Sequence, residues 1–171
     1  MNPYKSIVER IIPGKVPIDV YLEHVARYIF ASSFIKNNDL VVDVACGTGY
    51  GSYVLARKGV KKVIGIDISN AAIEYAKKKY SGRVNNIEFL VGNAMEMPIS
   101  SHEVDVVVSF ETIEHLNDPE AFLLECRRVL KDEGLLILST PNKYIKKKYI
   151  KDWESLSHKG SIYRRIIIHI T

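Results

Sequence analysis

Residues 40 to 52 read LVVDVACGTGYGS, a short β-branched run that breaks into a glycine-rich turn. A run of this kind, with little polar alternation, is what a strand covered on both faces requires. The glycines that follow let the backbone pass close to a ligand without a Cβ clash, and the turn opens directly into a helix. Outward from this stretch, similar runs are predicted as strands at residues 62–67 (KVIGID), 87–91 (IEFLV), 104–110 (VDVVVSF) and 135–140 (LLILST). Helical stretches separate them, so the chain predicts an α/β fold with a mainly parallel sheet built from βαβ units.

The helices carry recognisable ends. Ser69 is placed to cap a helix that buries Ala72, Ile73 and Ala76 and exposes Lys77, Lys78 and Lys79. Asp118 followed by Pro119 is an N-cap with proline at the first helical position. From there Phe122, Cys126, Val129 and Leu130 recur at helical spacing, which predicts a helix running up to Gly134. Ahead of the first strand, residues 20–33 (VYLEHVARYIFASS) show a helical pattern and are expected to lie across one end of the sheet.

With 171 residues, 47% hydrophobic and 26% charged, the composition is that of one globular domain, expected to span the whole chain. No uncharged apolar run approaches the roughly 18 residues of a membrane-spanning helix, and no apolar leader with a small-residue cleavage site opens the chain. The expected location is therefore the cytoplasm, with no membrane partner. Cys46 and Cys126 are expected to be reduced thiols, and the five histidines show no ligand-like spacing, so no metal site is expected. The net charge of +4 is uneven: residues 143–171 hold 8 basic and 2 acidic side chains, against 16 and 18 in residues 1–142. A solvated face accounts for such a basic tail more cheaply than an anionic partner does.

In open α/β sheets the ligand lies at the carboxyl ends of the strands, near the reversal of strand order. Strand one ends in the glycine-rich turn. Strand two ends in Asp67, 18 residues after Gly49, where a carboxylate can accept hydrogen bonds from both hydroxyls of a ribose. Together they point to a nucleoside-containing cofactor, with a ligand-free tight turn as the alternative for the glycines alone. A dinucleotide fingerprint would place its third glycine or an alanine at position 52, which is Ser52; the glycine falls one place early, at Gly51. That mismatch, and the lack of a hydride-transfer constellation, disfavours a nicotinamide-dependent oxidoreductase.

Five motifs then resemble the class I S-adenosylmethionine-dependent methyltransferases, in particular their small-molecule branch and its ubiquinone-biosynthesis O-methyltransferases. They are VVDVACGTGYGS (41–52), VIGIDIS (63–69), GNAMEMP (92–98), FETIEHL (110–116) and RVLKDEGLLILSTPN (128–142), joined by EHVARY (23–28), which is similar to the family's lid helix. The resemblance runs from about His24 to Asn142. It implies a Rossmann-like sheet in which residues 1–36 form a lid region, 37–142 the cofactor-binding core and 143–171 a shortened basic end. The implied cofactor is S-adenosyl-L-methionine and the implied activity is methyl transfer to a small-molecule acceptor, most simply to oxygen.

Carried over residue by residue, the resemblance implies that Ala45, Cys46, Gly47 and Gly49 hold the methionine part through the backbone while Asp43 orders the turn. Asp67 would bind the ribose, Ile68 would pack on the adenine, and Asn93 and Ala94 would meet the adenine edge, where the family usually has aspartate. Phe110 would line the cofactor near the sulfonium, and Arg27 resembles an arginine that closes on the cofactor carboxylate. A hydroxyl acceptor must lose its proton, and His115, in the Glu111-x-x-Glu114-His115 segment, is the catalytic candidate. Two roles are open to it: general base, or a loop histidine that shapes the pocket. Glu111 and Glu114 are read as scaffold, with a pocket-lining role open to Glu111. His24 and Tyr28 share a face of the lid helix that packing against the sheet explains, and Met95 and Met97 are read as gap-fillers.

The family's sheet normally has seven strands, the last two an antiparallel hairpin. Only 29 residues follow Asn142, and SIYRRIIIHIT (161–171) can supply one strand. Either the chain is a truncated or degenerate relative, short of one C-terminal strand, or its sheet closes with six. An apolar terminal strand invites pairing with a second copy, so a homodimer through that edge is the expected assembly. Tyr144 to Trp153 interleave basic and aromatic side chains as single-strand binders do, but the N-P-P-[YF] motif for base amines is absent after strand four, which disfavours a nucleic-acid substrate. The rival to catalysis is a fold that binds cofactor without turning it over.

Overall fold

Two side-chain caps fix where the flanking helices begin. Ser69 Oγ accepts the Ala72 N–H at 3.3 Å, and Asp118 Oδ1 accepts the Ala121 N–H at 3.0 Å, each satisfying one of the orphan donors of a first turn. The computed structural model describes residues 11–140 and 166–170. In chain order these form α1 (Ile18–Ser32), β1 (Leu40–Val44), α2 (Tyr50–Ala56), β2 (Lys62–Asp67), α3 (Asn70–Tyr80), β3 (Ile87–Val91), β4 (Val104–Phe110), a 3-10 turn at Ile113–His115, α4 (Pro119–Val129), β5 (Leu130–Thr140) and β6 (Ile166–Ile170).

The strands form one sheet in the order β3-β2-β1-β4-β5-β6, and every pairing is parallel. This is the Rossmann-like arrangement expected from the alternating pattern. Order reverses between β1 and β4, so a crevice opens at their carboxyl ends. β1, β2 and β4 are largely buried on both faces because successive residues serve different cores. Val41, Val63, Leu135 and Ile137 join the core under α1, α2 and α3, while Val42, Ile64, Leu136 and Leu138 join the core under α4. The lid helix α1 packs chiefly on α2, burying Tyr28 and Ala31. Among the described residues no helix is long and apolar enough to cross a membrane.

One expectation is corrected. The helix expected to reach Gly134 ends at Val129, because Leu130 turns extended (ψ 139°) and pairs with Val104. Leu130 stays in the same core as Phe122 and Cys126, so the apolar spacing runs on across a change of backbone. The ladder then shifts register before Leu135 meets Val106, and Lys131 pairs with Asp105 at 2.6 Å beside the irregularity. At the sheet's closing edge residues 161–171 supply one strand, as expected: β6 lies parallel to β5, and the sheet of the described residues has six strands. The basic and aromatic stretch from Tyr144 to Trp153 lies outside the described residues.

A polar clip fastens the β3–β4 connection to α4. Arg128 donates from Nε and Nη2 to the two oxygens of Glu125, each at 2.7 Å, and from Nη2 to the carbonyls of Met97 (3.2 Å) and Ile99 (2.9 Å). Glu125 in turn accepts the Met97 N–H at 2.6 Å. Glu125 is only 8% exposed, and the Arg128 guanidinium holds its carboxyl below the ordinary 4.5. A depressed carboxyl contributes stability above its unfolded value that is lost as pH falls through the lower folded one. Arg128→Ala is expected to lower the unfolding free energy by about 2–3 kcal/mol near neutral pH, read from urea curves. The difference from the wild type should shrink as the solution is taken below about pH 4.

Candidate functional site at the carboxyl end of the sheet

The β1–α2 turn is built around two acidic side chains. Asp67, at the end of β2, accepts the Gly47 N–H on Oδ2 at 2.9 Å and the Ser69 N–H on Oδ1 at 2.8 Å, tying the turn to the start of α3. Cys46 N–H donates to the Ile66 carbonyl at 2.9 Å, and Gly49 N–H donates to the Cys46 carbonyl at 3.0 Å. Ala45, Gly47 and Gly49 all take positive φ (59°, 55° and 80°), so the backbone doubles back above the strand ends. Gly49 faces inward: a Cβ there would sit 2.7 Å from Ala76 Cβ and from the Phe89 ring.

Beneath the turn lies Asp43, with no exposed surface. Its carboxyl accepts the Ser52 hydroxyl at 2.5 Å and the Tyr28 hydroxyl at 3.3 Å, so one group joins β1, α2 and the lid helix. Burial pushes Asp43 up to about 7; the two hydrogen bonds oppose the shift and the charge of Asp67 adds to it. The early third glycine now has its reason. A Cβ on Gly51 would overlap the Tyr28 ring, which passes over that position to reach Asp43. Tyr28 also meets Tyr50 and Phe110 edge-on, with ring centroids 5.6 and 4.9 Å apart.

Above the turn an open cleft of about 730 Å³ is lined by Ala45, Gly47 and Asp67 together with Glu111, Thr112, His115 and Leu116. Ala45 and Glu111, two of the three described non-glycine residues with positive φ, both line it. Such strain concentrates where a site over-determines its backbone. Glu111 is held by the Ser139 hydroxyl at 2.7 Å. His115 has a side chain 77% exposed, and its Nε2 stands 3.8 Å from Oε1 of Glu114, whose own side chain is 4% exposed. Burial raises the Glu114 carboxyl, and its Oε2 has no hydrogen-bond partner. Among the described residues no group of three His, Cys, Asp or Glu side chains is arranged to hold a metal ion.

The residues singled out in the sequence are therefore distributed over two layers. Ala45, Gly47, Asp67 and His115 line the cleft. Asp43, Cys46 and Gly49 are buried and shape the turn from below. Ile68, at 71% exposure, leaves an apolar side chain open beside the turn, and Phe110 meets the Tyr28 ring of α1 edge-on. Asn93 turns its amide oxygen onto the Met95 N–H at 3.0 Å, which directs its NH₂ group elsewhere, and Ala94 packs against the core under α4. Met97 is buried and Met95 packs beside it. Arg27, on α1, has Nε and Nη1 buried without a hydrogen-bond partner. Its charge is felt at Tyr50, at the start of α2, and at His24, whose partly buried ring is held below its usual value first by desolvation and then by Arg27. Sequence reading missed Thr112 and Leu116, which lie inside the FETIEHL motif but were given no role, and the Tyr28–Asp43–Ser52 bridge, for which Gly51 was the available signal.

Two outcomes follow for the turn. Gly49→Ala combines left-handed strain with overlap and should cost about 2–4 kcal/mol. Gly59→Ala, at φ +83° with nothing within 4 Å, should cost only about 1 kcal/mol. For Asp43, a carboxyl raised in the folded state gives stability that is full below its ordinary 3.8 and is lost as pH rises through about 7. The wild-type Tm should accordingly fall from about pH 4 to about pH 8, and Asp43→Asn should flatten that decline in thermal melts.

Residues 42–138 match the methyltransferase domain family. Over 136 residues the chain is 35% identical to a probable S-adenosylmethionine-dependent methyltransferase of Mycolicibacterium smegmatis, covering 79% of this chain and 51% of the relative. It is 35% identical over 112 residues to a ubiquinone biosynthesis O-methyltransferase of Pelagibacter ubique, covering 66% of this chain and 45% of that protein. Among solved structures it is similar to a SAM dependent methyltransferase from Aquifex aeolicus, at TM-score 0.64 and 25% identity, over 80% of this chain and 71% of that one. The chain thus spans about half the length of the curated relatives it matches. With its glycine turn, its Asp67 and most of strands β1 to β5 inside the matched region, the chain belongs to the methyltransferase domain family.

Proposed function

We propose that the protein binds S-adenosylmethionine in the cleft and transfers its methyl group to a small-molecule acceptor, on oxygen. The observation that carries the cofactor is the guanidinium of Arg27, with two buried nitrogens left without partners near the start of α2. Such donors are costly to bury unless an anion meets them, and the α-carboxylate of the cofactor is the anion this site would receive. Asp67 lines the cleft with its carboxyl oriented by the Gly47 and Ser69 N–H groups, and it would meet the ribose hydroxyls there. Ile68 offers an exposed apolar face to an adenine ring, and Asn93 would present its NH₂ group to a ring nitrogen where the family's aspartate accepts a hydrogen bond. The backbone of Ala45 and Gly47 would border the amino-acid part. Oxygen as the acceptor atom is supported by the similarity to ubiquinone biosynthesis O-methyltransferases.

The cofactor, when bound, supplies an already activated methyl group on a sulfonium. The chain's own task is placement: holding two reactants in line can remove about 7–11 kcal/mol of a barrier. Glu111, fixed by Ser139, and Thr112 border the acceptor side of the cleft. His115 is the group to take the acceptor's proton, with Glu114 beside it. A cleft without metal ligands among the described residues and with one exposed imidazole suits deprotonation of a phenol-like hydroxyl.

Calorimetric titration with S-adenosylhomocysteine tests the cofactor. Micromolar binding is expected, reduced more than about tenfold in Asp67→Ala and absent for NAD; no binding by the wild type overturns the proposal. In an acceptor panel, His115→Ala should lower kcat on the order of a hundredfold with cofactor affinity unchanged. Cofactor binding with no methylated product from any acceptor would instead favour a binding protein that does not catalyse.

A further inference from the structure

We infer that Tyr28 is a positioning residue that sets the lid helix so that Arg27 meets the cofactor's carboxylate; this rests on the cofactor proposal above. α1 fully buries Tyr28 and Ala31 and packs Tyr21 and Val25 partly against the same core, while Ile18, Leu22 and Ile29 are exposed. Of these core-facing residues Tyr28 is the one whose side chain also makes a buried hydrogen bond, so it fixes the roll that the apolar contacts alone leave adjustable. Its ring lies in the space left by the missing Cβ of Gly51, wedged edge-on between Tyr50 and Phe110, and its hydroxyl reaches the fully buried Asp43. Apolar packing alone would let the ring slide; the hydroxyl on Asp43 pins its depth, and the second acceptor bond, from Ser52, pins Asp43 to α2.

Arg27 is the preceding residue, so its direction follows from that seat. The guanidinium is near enough to Tyr50 and His24 for its charge to act on both, yet Nε and Nη1 have no partner. A flexible arginine with orphaned donors would relax towards water unless its backbone were held. Tyr28 supplies that hold without touching the cofactor. The chain Ser52–Asp43–Tyr28 thus links the helix after the glycine turn to the residue that would close over the ligand's acidic end.

The test compares two ligands that share the nucleoside and differ in the carboxylate: S-adenosylhomocysteine and 5′-methylthioadenosine. Tyr28→Phe keeps the ring and removes the hydroxyl. It is expected to weaken S-adenosylhomocysteine about fivefold, the scale of one lost hydrogen bond, and to leave 5′-methylthioadenosine unchanged. Arg27→Ala should show the same selectivity, and the double variant should be no weaker than Arg27→Ala alone. Equal weakening of both ligands, or full additivity in the double variant, overturns the inference, since a merely structural loss would not distinguish a carboxylate. Unchanged binding of both ligands to Tyr28→Phe overturns it as well, while wild type that binds neither ligand overturns the cofactor proposal itself. Thermal melts of each variant confirm that the folded protein is being titrated.

Discussion

A carboxyl group sealed from water is an expensive thing to build into a small protein, and here it sits on β1, inside the sheet. Asp43 is tolerated because two hydroxyls reach it, one from α2 and one from the lid helix. Much else is arranged around that contact. Gly51 is small so that Tyr28 can pass, Ser52 is polar so that it can donate, and Ala45 turns into the left-handed region immediately after the strand that carries Asp43. The sheet, the turn and the lid are three pieces, and this carboxyl is the place where all three touch.

The site above it is organised by contrast. Asp67, the second acid of the turn, accepts from two backbone donors and lines the cleft, whereas Asp43 is closed off from it. The two lie close enough for the charge of Asp67 to raise Asp43. Place on the strand separates the two acids, which are both buried and read alike as letters: Asp67 ends β2 and lines the cleft, whereas Asp43 is followed by Val44 within β1 and faces structure. On the opposite face, Glu125 shows the third fate of a buried carboxylate, paired with an arginine that also gathers the carbonyls of a loop.

The strands were legible in the sequence because their apolar runs have no other use than a doubly covered sheet, and the caps at Ser69 and Asp118 named their helices correctly. The glycine turn and Asp67 were legible as neighbours at one cleft for the same reason: spacing and residue type together have few alternatives. What escaped was anything decided by partners far along the chain. Leu130 continues an apolar period whether its backbone is helical or extended, and only pairing with Val104 chooses between them. Tyr28 reads as one more helical apolar residue, since its reach to Asp43 depends on a glycine 23 positions later. Glu114 reads as an exposed turn residue, and only the fold buries its side chain.

The place of β1 in the sheet has a consequence for how the protein comes to exist. This strand carries the turn, yet one of its two neighbours is β4, and Leu40 hands its N–H to Asp105, 65 residues on. As the chain leaves the ribosome, β1, β2 and β3 can pair with one another while one edge of β1, rich in valine, stays uncovered. Contacts between such distant segments carry a loop-closure penalty before any reward, and parallel sheets fold slowly for that reason. The half of the molecule that holds both acids of the turn is complete in sequence well before it can be complete in space. In that interval the exposed edge of β1 is the stretch most in need of protection from other chains.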